Sequence, residues 1–332
     1  MQHALKPALV FSLTLLSCLY QGAATAAETA KAYPTKPVRL VLAQTAGSSI
    51  DTMSRVIATK LGELLGQQIV VDNRTGAGGT IGGAIVAHSE PDGYTLLASA
   101  TASQVIGPQI YKKVTTYDPF KDFIPISLFA LTQNVMVTNP KTPFKSVKDV
   151  LAYAKANPGK INWANAGTGF QSHLAGVLFT HMAKISVLHV PYKGAGPMVA
   201  GVISGESDVT IGPAPAWMVH VQAGRARALA MGGEKRSVLW PDLPTIIESG
   251  VPGYVSNGWA GLAAPRGTPK VVLTKLHTTL VKAVSDPATN QALKRVGAEP
   301  LTSSTPAEFA ALIAKDWKSF GEAIRLAKLK VD

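Results

Sequence analysis

Cysteine occurs once in the 332 residues, at Cys18, which excludes a disulfide framework and a cysteine-built zinc site. Charged residues are also scarce, at 16% of the chain against 46% apolar, so a disordered polyelectrolyte is excluded and there is ample material for buried cores. No apolar run approaches the roughly 20 residues of a membrane-spanning helix. Gly-x-Ser-x-Gly, His-Glu-x-x-His and a phosphate loop are all missing, and Gly76-Ala77-Gly78-Gly79 lacks the spacing of a dinucleotide fingerprint. His173, His181 and His189 are spaced too widely and interrupted too often for a metal cluster, so neither cofactor nor metal is expected. Acidic residues are the scarcer sign, 20 against 32 lysines and arginines, giving a net charge of +12. The basic residues are scattered without interleaved aromatics, which argues against nucleic acid and leaves a general attraction for anions.

What is present begins with a leader. Lys6 precedes the apolar stretch Ala8–Tyr20, and Ala24-Thr25-Ala26 then supplies a cleavage site, so residues 1–26 read as a secretory signal peptide and the folded part starts near Tyr33. Leu15-Leu16-Ser17-Cys18 offers an alternative, a lipoprotein box with Cys18 as the lipidated first residue. Either way the mature chain is expected outside the cytoplasm.

Beyond the leader the rhythm is strand, glycine turn, helix. Val38–Ala43 suits a buried strand, and Ile50, Met53, Ile57, Leu61 and Leu64 recur at helical spacing until Gly66. Ser48-x-x-Asp51 and Thr168-x-x-Gln171 read as capping boxes. Further strands are expected at Ile69–Val71, Tyr94–Ser99, Ile161–Ala164, Val187–Val190, Asp208–Ile211 and Ala226–Met231. A helix face at Phe170, Leu174, Val177 and Leu178, Pro197 at a first helical position, and helices opened by Pro269 and Pro306 complete the pattern. Such alternation means α/β with mainly parallel sheets, and the length suits two lobes.

Ligands of open α/β sheets bind at the carboxyl ends of strands, where Thr45–Ser48, Thr101–Ser103, Gly167–Gly169 and Tyr192–Gly196 fall. A glycine turn at a helix start presents unpaired N–H groups and the positive end of the helix dipole, an anion site that needs no arginine. The same turns also occur as plain caps. Asp51 reads either as a pocket acid or as the capping-box partner, His173 as a packed residue or a ligand contact, Asp208 as structural or site, and Trp259 as core or cleft lining.

At these motifs the chain resembles the extracytoplasmic solute receptors of tripartite tricarboxylate transporters, the Bug family. The resemblance runs from Tyr33 to the C-terminus through Tyr33-Pro34, Ala46-Gly47 with Asp51 and Arg55, Asn73-Arg74-x-Gly76-Ala77-Gly78 and Pro91-Asp92-Gly93-Tyr94-Thr95. It continues through Gly167-Thr168-Gly169-x-x-x-His173-Leu174, Val190-Pro191-Tyr192-Lys193-Gly194 and Trp259-x-Gly261-Leu262-x-Ala264-Pro265. It implies a type II-like, two-lobed periplasmic binding protein, each lobe a mainly parallel sheet flanked by helices, hinged by two crossover strands near Gln133 and Asn257. Residues 33–133 and 259–332 would form lobe 1 and residues 134–258 lobe 2. The ligand contacts it implies are Thr45, Ala46, Gly47, Ser48, Asp51, Thr101, Ala102 and Ser103 in lobe 1, with Gly167, Thr168, Gly169, His173, Tyr192 and Asp208 in lobe 2.

The chain departs from the family pattern at Gln44-Thr45-Ala46-Gly47-Ser48, where paired glycines are usual, and at Thr75, where proline is common. With no arginine inside the turns, a dicarboxylate held by amides is the natural ligand, and an aromatic acid stacked on Tyr192 or Trp259 is the alternative. The implied function is capture of a small carboxylate by a monomeric receptor and its delivery to membrane transporter subunits. A ligand-loaded partner of a membrane signalling protein is the second reading, and a secreted hydrolase, which needs a nucleophile–base pair, the third.

Overall fold

A computed structural model of the chain describes residues 33–329, so the leader and the Cys18 box lie outside the described residues. Strand β1 (Val38–Leu42) leads through the Thr45–Ser48 turn into helix α1 (Ser49–Leu65), and β2 (Ile69–Asn73) follows. Helix α1 buries Ile50, Met53, Ile57 and Leu61 as expected, but Leu65 takes the last core position while Leu64 stays 44% exposed. Seven residues fall 20° short of two full helical turns, and the drift decides between neighbours. After α2 (Thr80–Ala87), β3 (Thr95–Ala100) runs into a π-helical turn, Ala102–Ile106, and the short α3 (Gly107–Ile110).

Then comes β4 (Phe123–Thr138), a 16-residue strand, and on its far side α4 (Val147–Ala156), β5 (Asn162–Asn165), α5 (Gln171–Ala183) and β6 (Leu188–Pro191). Helix α6 (Ala195–Ser204), β7 (Val209–Pro213), α7 (Met218–Gln222) and β8 (Arg227–Met231) complete that side. The chain returns in β9 (Asn257–Pro265), then α8 (Lys270–Ser285), α9 (Pro287–Arg295), β10 (Glu299–Pro300) and α10 (Pro306–Leu326).

The strand order is β2-β1-β3-β9-β4-β7-β5-β6, with β8 and β10 also paired to β4. The outer strands are parallel: β1 with β2 and β3, and β5 with β6 and β7. The strands that cross between lobes are antiparallel: β9 lies between β3 and β4, and β4 goes on to pair with β7 and β8. Each lobe is therefore a mixed sheet whose parallel part is distal to the hinge. Along β4 the side chains alternate between cores, with Met136 joining Trp163 and Phe179 on one face and Val135 and Val137 joining Met198 and Trp217 on the other. In lobe 1, α1 and α8 close over β1, β3 and β9 through Leu61, Leu276 and Leu280. Helix α10 binds the lobes together, because Phe309, Ile313 and Ile324 share a core with Leu174 of α5.

Candidate functional site

The strand registers set the geometry. Ala100, the last residue of β3, pairs with Ala260, three residues from the hinge end of β9, while Gln133 pairs with Asn257. In lobe 2, Pro213 at the end of β7 pairs with Asn134, whereas Val209 at its start pairs with the distant Thr138. The carboxyl ends of the parallel strands in both lobes therefore point at the hinge and at each other. The turn after β5 touches lobe 1: a Cβ on Gly169 would lie 3.0 Å from Ile110 Cδ1, at the end of α3. On the hinge itself, a Cβ on Gly258 would lie 3.1 Å from the Gln171 side-chain nitrogen.

The lobe 1 half is built around Asp51, which is 4% exposed. Its carboxylate accepts from the Gly47 amide (2.9 Å), from Asn73 Nδ2 (3.0 Å) and from Arg55 Nε (3.1 Å), and Asn73 Nδ2 also donates to the Gln44 carbonyl. Burial pushes the carboxyl up, but the hydrogen bonds from Arg55, Gly47 and Asn73 outweigh it and hold it below its ordinary value. Ser48 Oγ accepts from the Asp51 amide at 3.3 Å, so Ser48 caps α1 as expected. The return half of the capping box is shifted by one residue: the Asp51 carboxylate takes the Gly47 amide, and the Ser48 amide donates to the Thr45 carbonyl. Gly47 adopts φ +78°, which favours glycine there. The amides of Thr45, Ala46, Ser49 and Ile50 take no partner among the described residues. Asp51 thus shapes the turn and has no lone pair aimed at a ligand, and the Gly47 amide is spoken for. Beside it, the Thr101 hydroxyl is buried without a partner and Ala102 is half-buried at the π-helical turn, a feature frequent at functional sites. Ser103 is turned inward: it is fully buried, its hydroxyl donates to Ala100 and its carbonyl accepts from Tyr117.

In lobe 2 the expected capping box at Thr168 is absent. Gly167 (φ +133°) and Gly169 (φ +83°) carry the chain further before the helix, the cap position falls on Phe170, 57% exposed, and no side chain caps α5. Asn165 Oδ1 accepts from the Gly167 amide at 3.1 Å and His173 Nδ1 from the Gly169 amide at 3.2 Å. The amides of Thr168, Gln171 and Ser172 are left without a partner among the described residues. Burial, with the His189 ring 5.5 Å away at right angles, pulls His173 down to about 4. The neutral ring, accepting at Nδ1, carries its proton on Nε2 and can donate there.

Other expectations need correction. The Tyr192 hydroxyl pairs with Ser207 Oγ at 2.9 Å and its ring lies over Gly201, which turns the hydroxyl away from a ligand. Trp259 is 1% exposed, packs edge-on to Phe309 and donates to Asp316 Oδ2 at 2.8 Å. The Trp259 ring is therefore no stacking platform. Asp208 accepts from the Asn162 amide at the starting end of β5, so a strand length of about 10 Å separates it from the turns. Helix α6 begins at Ala195, which puts Pro197 at the third helical position. Asn73, Asn165 and Gln171 were missed; an asparagine closing a strand before a glycine turn was the available signal for the first two.

Two surface concavities, of about 790 Å³ between α1 and the edge strand β2 and about 540 Å³ beside Trp240, lie on the outer flanks, away from the facing turns. Among the described residues no helix is long and apolar enough to cross a membrane, and no group of three or more His, Cys, Asp or Glu is placed to hold a metal.

Comparison with known proteins gives this geometry a context. A family profile for the tripartite tricarboxylate transporter family receptor matches residues 53–329. The chain is 35% identical to protein BugT of Bordetella pertussis over 304 residues, 91% of this chain and 93% of that one. Among solved structures it is similar to R. palustris Rpa4515 with adipate, with a TM-score of 0.78 and 33% identity over 90% of this chain and 99% of that one. It is also similar to MatC from Rhodopseudomonas palustris with bound malate, with a TM-score of 0.75 and 28% identity over 88% of this chain and 100% of that one.

Proposed function

The chain belongs to the tripartite tricarboxylate transporter receptor family, and from that premise we propose that it is a periplasmic receptor, exported by its residues 1–26, that captures one small carboxylate between its lobes and presents it to a membrane transporter. The observation that carries this reading is the confrontation across the hinge of two turns with unpartnered amides, Thr45, Ala46, Ser49 and Ile50 from one lobe and Thr168, Gln171 and Ser172 from the other. Residues 33–133 and 259–332 would move as one body and 134–258 as the other, with Thr101, Ala102 and His173 completing the contacts. Hydrogen bonds to a carboxylate contribute roughly 1.5–3 kcal/mol each, so four or five leave about 8 kcal/mol, micromolar affinity, after ordering costs. The adipate and malate on the two structural relatives support the ligand class. Delivery needs no catalytic pair, and a monomer suffices for it.

Purified protein titrated with a panel of C4–C9 mono- and dicarboxylates should melt about 5 °C higher with at least one member at saturating concentration. A panel that leaves the transition where it was would overturn the carboxylate assignment.

A further inference from the structure

The second lobe holds donors that the fold leaves unused. Asn165, at the end of β5, is 1% exposed, and the amide of Gly167 fixes which way its carboxamide faces by donating to Oδ1. The other half of that carboxamide, Nδ2, is buried beside the same turn with no partner among the described residues. Gln171, the first residue of α5, has a buried side-chain nitrogen that is likewise unpartnered, standing between the turn and Gly258 of the hinge strand. More than nine in ten buried polar groups of folded proteins are hydrogen-bonded, so two orphaned donors flanking one uncapped helix start mark a place that expects an acceptor. Of the two rings that would favour an apolar ligand end, Trp259 is buried and committed to Asp316, and the Tyr192 hydroxyl is held by Ser207.

We infer that the turn after β5 is an oxygen subsite, in which Asn165 Nδ2 and the Gln171 side-chain amide receive the second carboxylate of a dicarboxylate alongside the free backbone amides. This rests on the carboxylate reading above and assigns the distal end of the ligand to lobe 2. Gln171 is then a specificity residue kept at the expense of the empty protein, because an unsatisfied buried donor destabilises the unliganded state.

The test compares each dicarboxylate of the panel with the monocarboxylate of equal chain length by calorimetric titration, for wild type, Asn165→Asp and Gln171→Leu. The wild type should prefer the dicarboxylate. Gln171→Leu should melt higher than wild type when empty and bind the dicarboxylate about tenfold more weakly, a larger loss than it shows for the monocarboxylate. Asn165→Asp keeps the acceptor for Gly167 and loses the donor, so the same preference should collapse; should that variant not fold, Gln171→Leu decides alone. A wild type that favours the monocarboxylate, or a folded variant with the wild-type ratio between the two ligands, overturns the subsite and leaves carboxylate capture standing. Binding of no carboxylate by the wild type overturns both.

Discussion

The two halves of the cleft solve the same problem in opposite ways. In lobe 1 the turn is finished before any ligand arrives: Ser48 caps α1, Asp51 holds the Gly47 amide, and Asn73 and Arg55 hold Asp51. In lobe 2, among the described residues, no side chain caps α5, three amides take no partner and Asn165 and Gln171 keep unpaired donors. A completed turn offers shape and a fixed dipole; an incomplete one offers hydrogen bonds that only the ligand can complete. The contrast teaches that rigidity and appetite for the ligand are separately encoded, the first in a charged network behind one turn and the second in what the other turn lacks.

Asp51→Ala should do most to break the contrast. It frees the Gly47 amide and strands Asn73, and we expect about 2 kcal/mol of lost stability in urea unfolding together with weaker binding. Full stability in that variant would mean that the lobe 1 turn is held by something other than the Asp51 network. Thr168→Pro removes one free amide from the open turn and should weaken carboxylate binding about tenfold while the empty protein melts as before. Unchanged affinity in the folded variant would strike that turn from the site.

The smallest effect concerns His173. Its folded pKa of about 4 lies below the ordinary 6.5, so the unfolded chain takes up the proton first as the pH falls. Its contribution to stability is complete above pH 6.5 and is lost between 6.5 and 4. Burial raises Asp316 to about 6, which acts with the opposite sign over part of that range, so the comparison is between wild type and His173→Gln. The drop in Tm from pH 7 to pH 5 should be smaller by about 2 °C in the variant. Equal drops would show that the ring is not buried neutral.

How much of this was written in the sequence depended on whether the signal was local. The face of α8 (Val272, Leu276, Leu280, Val284) was legible because it meets one core with a plain helical period. Strand β4 was not, because it is buried on both faces for most of its length and shows no alternation to read. The Thr168 cap failed for a local reason, two positive-φ glycines that delay the helix, which composition suggests but does not place. The placing of Asp208 and of the Tyr192 hydroxyl had non-local causes: which end of a strand faces the hinge, and where a hydroxyl finds its partner, are settled by register and by the neighbours Asn162 and Ser207. The facing turns themselves were legible as glycine-rich strand ends, whereas the donors that distinguish the two halves depend on which amides the folded neighbours satisfy, which no local pattern encodes.

The position of β9 bears on how such a chain acquires its shape. Strands β5 to β8 are consecutive, so one half of the molecule can assemble from an unbroken stretch as it emerges from the N-terminal end. The other half cannot, since Ala100 must wait for Ala260 and Phe123 for Pro265. Until then β3 and β4 stand as open edges about 10 Å apart, the width of one missing strand, and unpaired edges are where newly made chains stick to one another. Insertion of β9 closes both edges in a single event, which makes residues 257–265 the fastener of the whole fold and the stretch where a delay would be most dangerous.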